Sequence, residues 1–365
     1  MIAGGGTGGH VVPAIAIGRA LVARGHPDSS ILFVGSKRGI EGRMVPAAGF
    51  EVALLPGRGI ARRPTVDNVG AVAGLVAAVT KAIVIMARLR PSVVISVGGY
   101  ASVAGAVAAI VWRIPLVVAE QNASPGLANR MAARFAVASA VSFPGTRLPR
   151  AVVTGNPVRP EILAVDRSPR GQAAARSALG LPADGLVVAV AGGSLGARRI
   201  NEAVLGLATS WSDRSGVAIR HVIGERDFES IASRAPSLPV GGLVYQQVKF
   251  EDRMDLLLAA ADVAVQRSGA STASELAVVG LPSILVPLPG APGDHQTANA
   301  RRFADAGAAS VIPDRELDQA RLAEELERLL SDEEARRAMS EAALGLAHPD
   351  AAARVASIAE EHARG

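Results

Sequence analysis

Residues 93–112 read VVISVGGYASVAGAVAAIVW, twenty consecutive positions without a charge. By length alone such a run suffices to span a bilayer. Its internal order argues otherwise. It opens on the β-branched run Val93–Val97, breaks at Gly98-Gly99 and resumes as an alanine-rich helix. A parallel strand covered on both faces reads as a continuous apolar run, so the stretch predicts a strand, a glycine turn and a helix inside an α/β sheet.

The same unit recurs on either side. Met1–Ala3 precede a glycine run and a helix over 11–24, and Ile31–Val34, Leu116–Ala119 and Val152–Thr154 read as further strands. A second series begins with Leu186–Ala191, a glycine turn and a helix over 198–209, and continues with strands at Ile219–Ile223, Val263–Val265 and Ile284–Val286. Strands alternating with helices at this spacing predict parallel sheets. The chain has 365 residues, and at ~150 residues per domain this predicts two domains. Pro157, Pro160, Pro169 and Pro182, with charges between them, mark the join. The expected division is 1–157, 158–340 and a helical tail over 341–365, with the two doubly wound domains facing a cleft. Leu322, Leu326, Leu329 and Leu330 form an amphipathic stripe in the region leading into the tail.

Composition excludes several classes. There is no cysteine, so disulfide scaffolds, cysteine-ligated zinc and a thiol nucleophile are out. Aromatics are 3% against 49% hydrophobic residues, so the cores must be built from Ala, Val, Leu and Ile. So few aromatics offer little stacking platform, and no nucleic-acid partner is expected despite the net charge of +5. The N-terminus lacks a basic segment followed by an apolar one, so no signal peptide is expected.

Three glycine turns carry the functional signal: Gly4–His10, Gly98–Ser102 and Gly192–Arg198. Glycine lets backbone N–H groups approach phosphate closely, and the following helix N-terminus favours an anion. Strand two ends Val34-Gly35-Ser36-Lys37-Arg38, without the acid that holds an NAD ribose, which leaves NADP as the dinucleotide alternative. In the second half, Arg267–Glu275 reads as a helix N-terminus receiving phosphate, with Glu275 placed to hold ribose hydroxyls. Asp294-His295-Gln296 and Asn299 form a polar cluster between a strand and a helix. His10 is the candidate general base, since imidazole titrates near pH ~6.5. Glu120 is the rival. No metal and no cofactor is expected, because no carboxylate cluster suggests a magnesium site.

Seven segments, in order, resemble the MurG family of peptidoglycan N-acetylglucosaminyltransferases: 4–21, 96–102, 120–129, 154–159, 192–201, 267–275 and 295–300. The resemblance implies a GT-B fold, a UDP-GlcNAc donor and an undecaprenyl-pyrophosphate-linked MurNAc-pentapeptide acceptor (lipid I). It also implies peripheral attachment to the cytoplasmic face of the cell membrane, and cell-wall synthesis proteins among the partners. The reaction implied is inverting transfer to the MurNAc 4-hydroxyl, giving lipid II. Carried over position by position, Thr7, Gly8, Gly9 and Asn122 line the first domain's side of the cleft. Arg159, Ser194, Ala270, Ser271, Thr272, Glu275 and Gln296 look like donor contacts. The matching segments add Tyr100, Asn129, Asn201, His295 and Asn299, and a looser match at 250–254 adds Glu251 as part of the uracil-reading loop. The sequence departs from some members at Ala119 and His295, where they have histidine and glutamine. Another GT-B glycolipid transferase, or an NADP-dependent oxidoreductase using the first turn, is the alternative.

Residues 69–87 carry Lys81 as their only charge. Val72, Leu75, Val79, Ile83 and Met86 form one stripe there, with Arg62, Arg63, Lys81, Arg88 and Arg90 around it and Trp112-Arg113 expected nearby. An apolar patch rimmed by cations suits an anionic membrane surface; a buried core helix is the alternative reading of the same stretch.

Overall fold

The computed structural model describes residues 1–57, 67–193 and 196–364, with the side chains of 67–69 left aside. The chain forms two compact units, Met1–Arg159 with His348–Gly365, and Pro160–Ala347.

The first unit is a seven-stranded parallel sheet: β1 (Ile2–Gly4), β2 (Leu32–Ser36), β3 (Glu51–Leu55), β4 (Val94–Gly98), β5 (Leu116–Glu120), β6 (Ala138–Val141) and β7 (Ala151–Val153). Its strand order is β3-β2-β1-β4-β5-β6-β7. The winding therefore reverses between β1 and β4. The second unit holds β8 (Leu186–Ala191), β9 (Val217–Val222), β10 (Val244–Val248), β11 (Val263–Gln266), β12 (Ser283–Leu285) and β13 (Ser310–Val311), all in parallel pairs. Their order is β10-β9-β8-β11-β12-β13, and the reversal falls between β8 and β11. In open α/β sheets ligands bind outside the strand C-termini at such reversals.

Residues 93–112 fold as read, with β4 followed by the helix Tyr100–Val111. Ala101, Ala104, Ala106, Ala108 and Ala109 of that helix are buried, and their small side chains let it lie close to the sheet. A Cβ on Gly105 would run into the Ala3 side chain on β1. The first helix runs Gly8–Ala23, three residues earlier than its apolar pattern begins. Four strands escape the sequence pattern. β3 and β10 are half-exposed edge strands, β6 (ASAV) is too small in its side chains to look like a strand, and β13 is two residues long.

The tail expected over 341–365 is divided between the units. The helix Glu333–Gly345 stays with the second unit, where Met339 and Ala343 are buried. The helix Ala351–Glu361 returns to the first, packing against Gly8–Ala23, β5 and β6. Its apolar face is the reason: Val355, Ile358 and Ala359 join the core formed by Ile2, Ile17, Ile95 and Val117. Arg24 donates to Glu360 at 2.8 Å across the same joint. The stripe Leu322, Leu326, Leu329 and Leu330 is buried on the helix Gln319–Ser331.

Ile358→Ala leaves a cavity between this returning helix and β5–β6. It is expected to cost about 2–4 kcal/mol. Hydrogen exchange checks it: β5 and β6 amides lose protection while β8 and β9 keep theirs.

Candidate active site

The first unit builds its site at the β1/β4 reversal. β1 ends at Gly4, and Gly5 and Gly6 follow with φ of 140° and 97°, a region that only glycine enters readily. Gly5 N donates to Gly98 O at 3.1 Å, which ties the first glycine turn to the second. Thr7 then caps the helix Gly8–Ala23 without a side-chain cap bond. The Thr7 Oγ1 instead lies 3.2 Å from His10 Nδ1. The half-buried His10 ring rests on Gly98, where a Cβ would come within 2.9 Å of its Nε2. The reversal point, the turn and the imidazole thus converge on one spot.

Glu120 ends β5 and is buried. Its Oε1 accepts from Asn122 N at 2.9 Å and Asn122 Nδ2 at 3.2 Å. Its Oε2 accepts from Gly126 N at 3.1 Å and Asn129 Nδ2 at 2.9 Å. These four donors occupy the lone pairs a base would use. Glu120 therefore organises the 122–129 loop and places Asn122 in it. Asn129 is a buried member of that scaffold, bonded also to Ala119 O at 3.1 Å. Tyr100 braces the second turn, donating to Pro56 O at 3.1 Å. Burial holds its phenol above the usual pKa.

Sequence reasoning missed Glu41. It starts the short helix Glu41–Ala47 and is 2% exposed. Its Oε1 accepts from Gly6 N at 2.8 Å and from Ser36 N at 3.0 Å. The acid sought at the end of strand two arrives five residues after Ser36 and folds back beneath the glycine turn. The available signal was the flanking glycines: a Cβ on Gly5, Gly35 or Gly39 would run into its side chain.

In the second unit the β8/β11 reversal is flanked by the turn after β8 and the helix Ala270–Val279 after β11. Ser194 lies outside the described residues. Gly269 begins the helix without a side-chain cap, so its first N–H groups are left for another acceptor. Gln266 Nε2, Arg267 Nε and Ser271 Oγ are buried there without hydrogen-bond partners. Helical spacing puts Ser271 and Glu275 on one face, with Ala270 and Glu275 buried and Thr272 half-buried.

The neighbouring loops are cross-tied. Arg267 donates to Val286 O at 3.2 Å, Pro287 O at 3.1 Å and Asp314 Oδ1 at 2.7 Å. Gln296 Oε1 accepts from Leu288 N at 2.9 Å, and its backbone carbonyl accepts from Ser268 Oγ at 2.9 Å. Asn299 Nδ2 donates to Ser268 O at 3.1 Å, and His295 Nδ1 donates to Pro292 O at 2.7 Å. Glu251 is committed to Arg220, at 2.8 Å from its Nε, and to Arg253 N at 3.1 Å, so it shapes the 250–253 loop. Arg159, expected on the donor side, is the last residue of the first unit's leading segment.

Asn201, expected as a substrate contact, is fully buried scaffold. Its Nδ2 donates to Ile223 O at 3.0 Å, so its Oδ1 faces His221 Nε2, also at 3.0 Å. His221 Nε2 therefore carries the proton and Nδ1 accepts from Tyr245 OH at 2.8 Å. Burial lowers the His221 pKa to about 3.

Two sequence profiles of glycosyltransferase family 28 match the chain, the N-terminal domain over residues 1–141 and the C-terminal domain over 187–355. The UDP-N-acetylglucosamine--N-acetylmuramyl-(pentapeptide) pyrophosphoryl-undecaprenol N-acetylglucosamine transferase of Nocardioides sp. is 42% identical, covering 99% of this chain and 97% of its own length. The chain belongs to the MurG family. The transferase of the same description from Acidothermus cellulolyticus is 40% identical over 100% of this chain and 97% of its own length. The crystal structure of Acinetobacter baumannii MurG superposes with a TM-score of 0.77, at 27% identity, covering 99% of this chain and 98% of that one. The two parallel-sheet units are thus the two Rossmann-like domains of a MurG-type GT-B fold.

A histidine whose folded pKa lies below its unfolded one stays neutral while the unfolded chain takes up a proton. Between pH ~6.5 and ~3 His221 therefore withdraws stability from the second unit as pH falls, by up to about 1.4 kcal/mol per pH unit. Nitrogen NMR at pH 5 should show the neutral Nε2–H tautomer.

Proposed function

We propose that this protein transfers N-acetylglucosamine from UDP-GlcNAc to the MurNAc 4-hydroxyl of undecaprenyl-pyrophosphoryl-MurNAc-pentapeptide, with inversion. One observation carries the division of labour. The second unit leaves an uncapped helix N-terminus beside three buried polar atoms without hydrogen-bond partners, Gln266 Nε2, Arg267 Nε and Ser271 Oγ, at its β8/β11 reversal. That arrangement suits the diphosphate of a nucleotide sugar, with charge stabilisation from the helix terminus as the C1–O bond breaks. Ser271 and Thr272 would serve the phosphates, Glu275 the ribose diol and Gln296 the sugar hydroxyls, with Arg159 and Ser194 contributing from the flanking segments.

The first unit offers the acceptor side. Thr7, Gly8 and Gly9 lead into His10, which rests on Gly98, and the neighbouring Asn129 belongs to the loop that carries Asn122. His10 would remove the proton of the attacking hydroxyl, and Glu120, already accepting four hydrogen bonds, is the poorer base. Donor release from UDP-GlcNAc, measured with and without a lipid I analogue, tests the reading. Stimulation by the analogue with formation of the disaccharide supports it, and indifference to the analogue ends it.

The two roles are expected to separate in variants. Glu275→Ala should weaken UDP binding by ~1.5–3 kcal/mol, the loss of a charged hydrogen bond. His10→Ala should leave UDP-GlcNAc affinity within about twofold, lower kcat by ~10²–10⁴ and remove the acidic limb of the kcat/KM profile. Calorimetry and steady-state kinetics read both.

Attachment to the cytoplasmic face of the membrane is the second part of the proposal. The helix Asp67–Leu89 is long and apolar enough to cross a membrane, yet one face packs into the core through Ala71, Ala78, Ala82 and Met86. The stripe expected to face lipid is thereby rotated. Met86 is buried, Leu75 is half-buried, and Val79 and Ile83 pack against the core. The exposed apolar side chains are Val72, Val76, Val84 and Leu89, joined by Val107 and Val111 of the next helix and by Trp112 at its end. Trp112 Nε1 donates to Ile83 O at 3.1 Å, which holds the two helices' surfaces together. Arg88, Arg90 and Arg113 are exposed at its rim, while Lys81 also donates to Leu54 O at 2.9 Å; Arg62 and Arg63 lie outside the described residues. Such a face suits an anionic leaflet. Sedimentation with anionic but not neutral vesicles, lost in Val76→Glu with Val84→Glu, is the expected outcome. No binding to anionic vesicles at low salt would end this part.

A further inference from the structure

Glu41 is a carboxylate that the transfer chemistry above does not use, and its surroundings are unusual. Burying a carboxylate costs solvation that only a full set of donors recovers. Glu41 is 2% exposed, and its Oε2 has no hydrogen-bond partner. Its Oε1 meanwhile takes two backbone donors from different segments, Gly6 N at 2.8 Å and Ser36 N at 3.0 Å. Three glycines, at 5, 35 and 39, leave the space it fills. A buried apolar residue would pack this space at less cost in solvation. What it could not do is hold the Gly6 N–H inward. Gly6 is followed by Thr7, and Thr7 and His10 meet at 3.2 Å.

We propose that Glu41 is a positioning residue for the reaction. By accepting from Gly6 N and Ser36 N it sets the path of the first glycine turn, and through the turn it sets Thr7, the leading amides of the helix Gly8–Ala23 and the His10 ring on Gly98. This rests on the assignment of that turn to the acceptor side. Glu41 touches no reacting atom, and its effect is confined to how the acceptor and the base are placed.

The experiment compares Glu41→Gln, Glu41→Leu and Gly39→Ala with the wild-type protein. UDP-GlcNAc and a lipid I analogue are varied separately, UDP binding is measured by calorimetry, and thermal unfolding is recorded. Glu41→Gln keeps an oxygen for both N–H groups and should retain acceptor kcat/KM within about threefold. Glu41→Leu fills the volume without an acceptor and should lower acceptor kcat/KM on the order of 10²-fold, the scale of a misplacement near 1 Å. UDP affinity and the KM for UDP-GlcNAc should stay within about twofold in both, because the second unit is untouched. Gly39→Ala alters a half-exposed loop residue and pushes a methyl against Oε2, so it tests the same device should Glu41→Leu fail to fold. It should lower acceptor kcat/KM about tenfold with UDP affinity unchanged. Unchanged acceptor kcat/KM in Glu41→Leu or Gly39→Ala would overturn the proposal, as would a fall in UDP affinity parallel to the loss of activity. A wild-type protein that transfers nothing to the lipid-linked acceptor would sink the function itself rather than the role of Glu41.

Discussion

A buried carboxylate accepting backbone N–H groups is the interaction on which the first unit's loops depend. Parallel strands that end at one edge of a sheet leave the connecting loops with donors and no ladder to receive them. Glu41 answers this beneath the first glycine turn, and Glu120 answers it beneath the 122–129 loop. Both side chains are buried, so the bonds they make are little weakened by water. The first glycine turn is also joined to the second by Gly5 N and Gly98 O, so the turn that leads to His10 is tied from more than one side.

The second unit solves the opposite half of the same problem. There the loop carbonyls are gathered by buried or half-buried arginines. Arg267 collects Val286 O and Pro287 O, and Arg176 donates to Ala260 O, Ala183 O and Gly185 O while paired with Asp262 at 2.8 Å. Arg167 donates to Ala261 O at 3.1 Å and Gly280 O at 3.3 Å. The helix Ala270–Val279, like any helix, starts with N–H groups that have no intrahelical acceptor, and no side chain caps them. Helix N-termini are where backbone donors and the helix dipole coincide, which is what the proposed diphosphate site would use.

The motif residues divided according to burial. Thr7, Gly9 and Asn122 lie where a ligand can reach them, and Ser271 keeps an unpartnered hydroxyl. Asn129, Asn201 and Glu251 stand in the same motifs but are consumed by the scaffold. A sequence shows residue type and spacing, and a polar residue that binds substrate has the same letter as one that holds a loop. Glu41 shows the converse. It stands alone in its segment, and the three glycines that make room for it come from two different loops and a strand. Face was misjudged for the same reason on the helix Asp67–Leu89. It is apolar nearly all round, so its composition could not say that Ala71, Ala78, Ala82 and Met86 would turn inward.

Period and punctuation in the chain alone determined the two parallel α/β units and the glycine turns at their strand ends. These are local properties, since a β-branched run followed by glycines and an alanine-rich helix has few ways to bury itself. Tertiary structure decided the rest: that the last helix crosses back to the first unit, that Glu120 is a strut, and that Glu41 lies under the first turn. Each of these depends on groups far apart in sequence meeting in space, as Glu360 meets Arg24 and Glu41 meets Gly6. No local pattern encodes such a meeting, because burial and the hydrogen bonds it compels exist only once the sheet has been assembled.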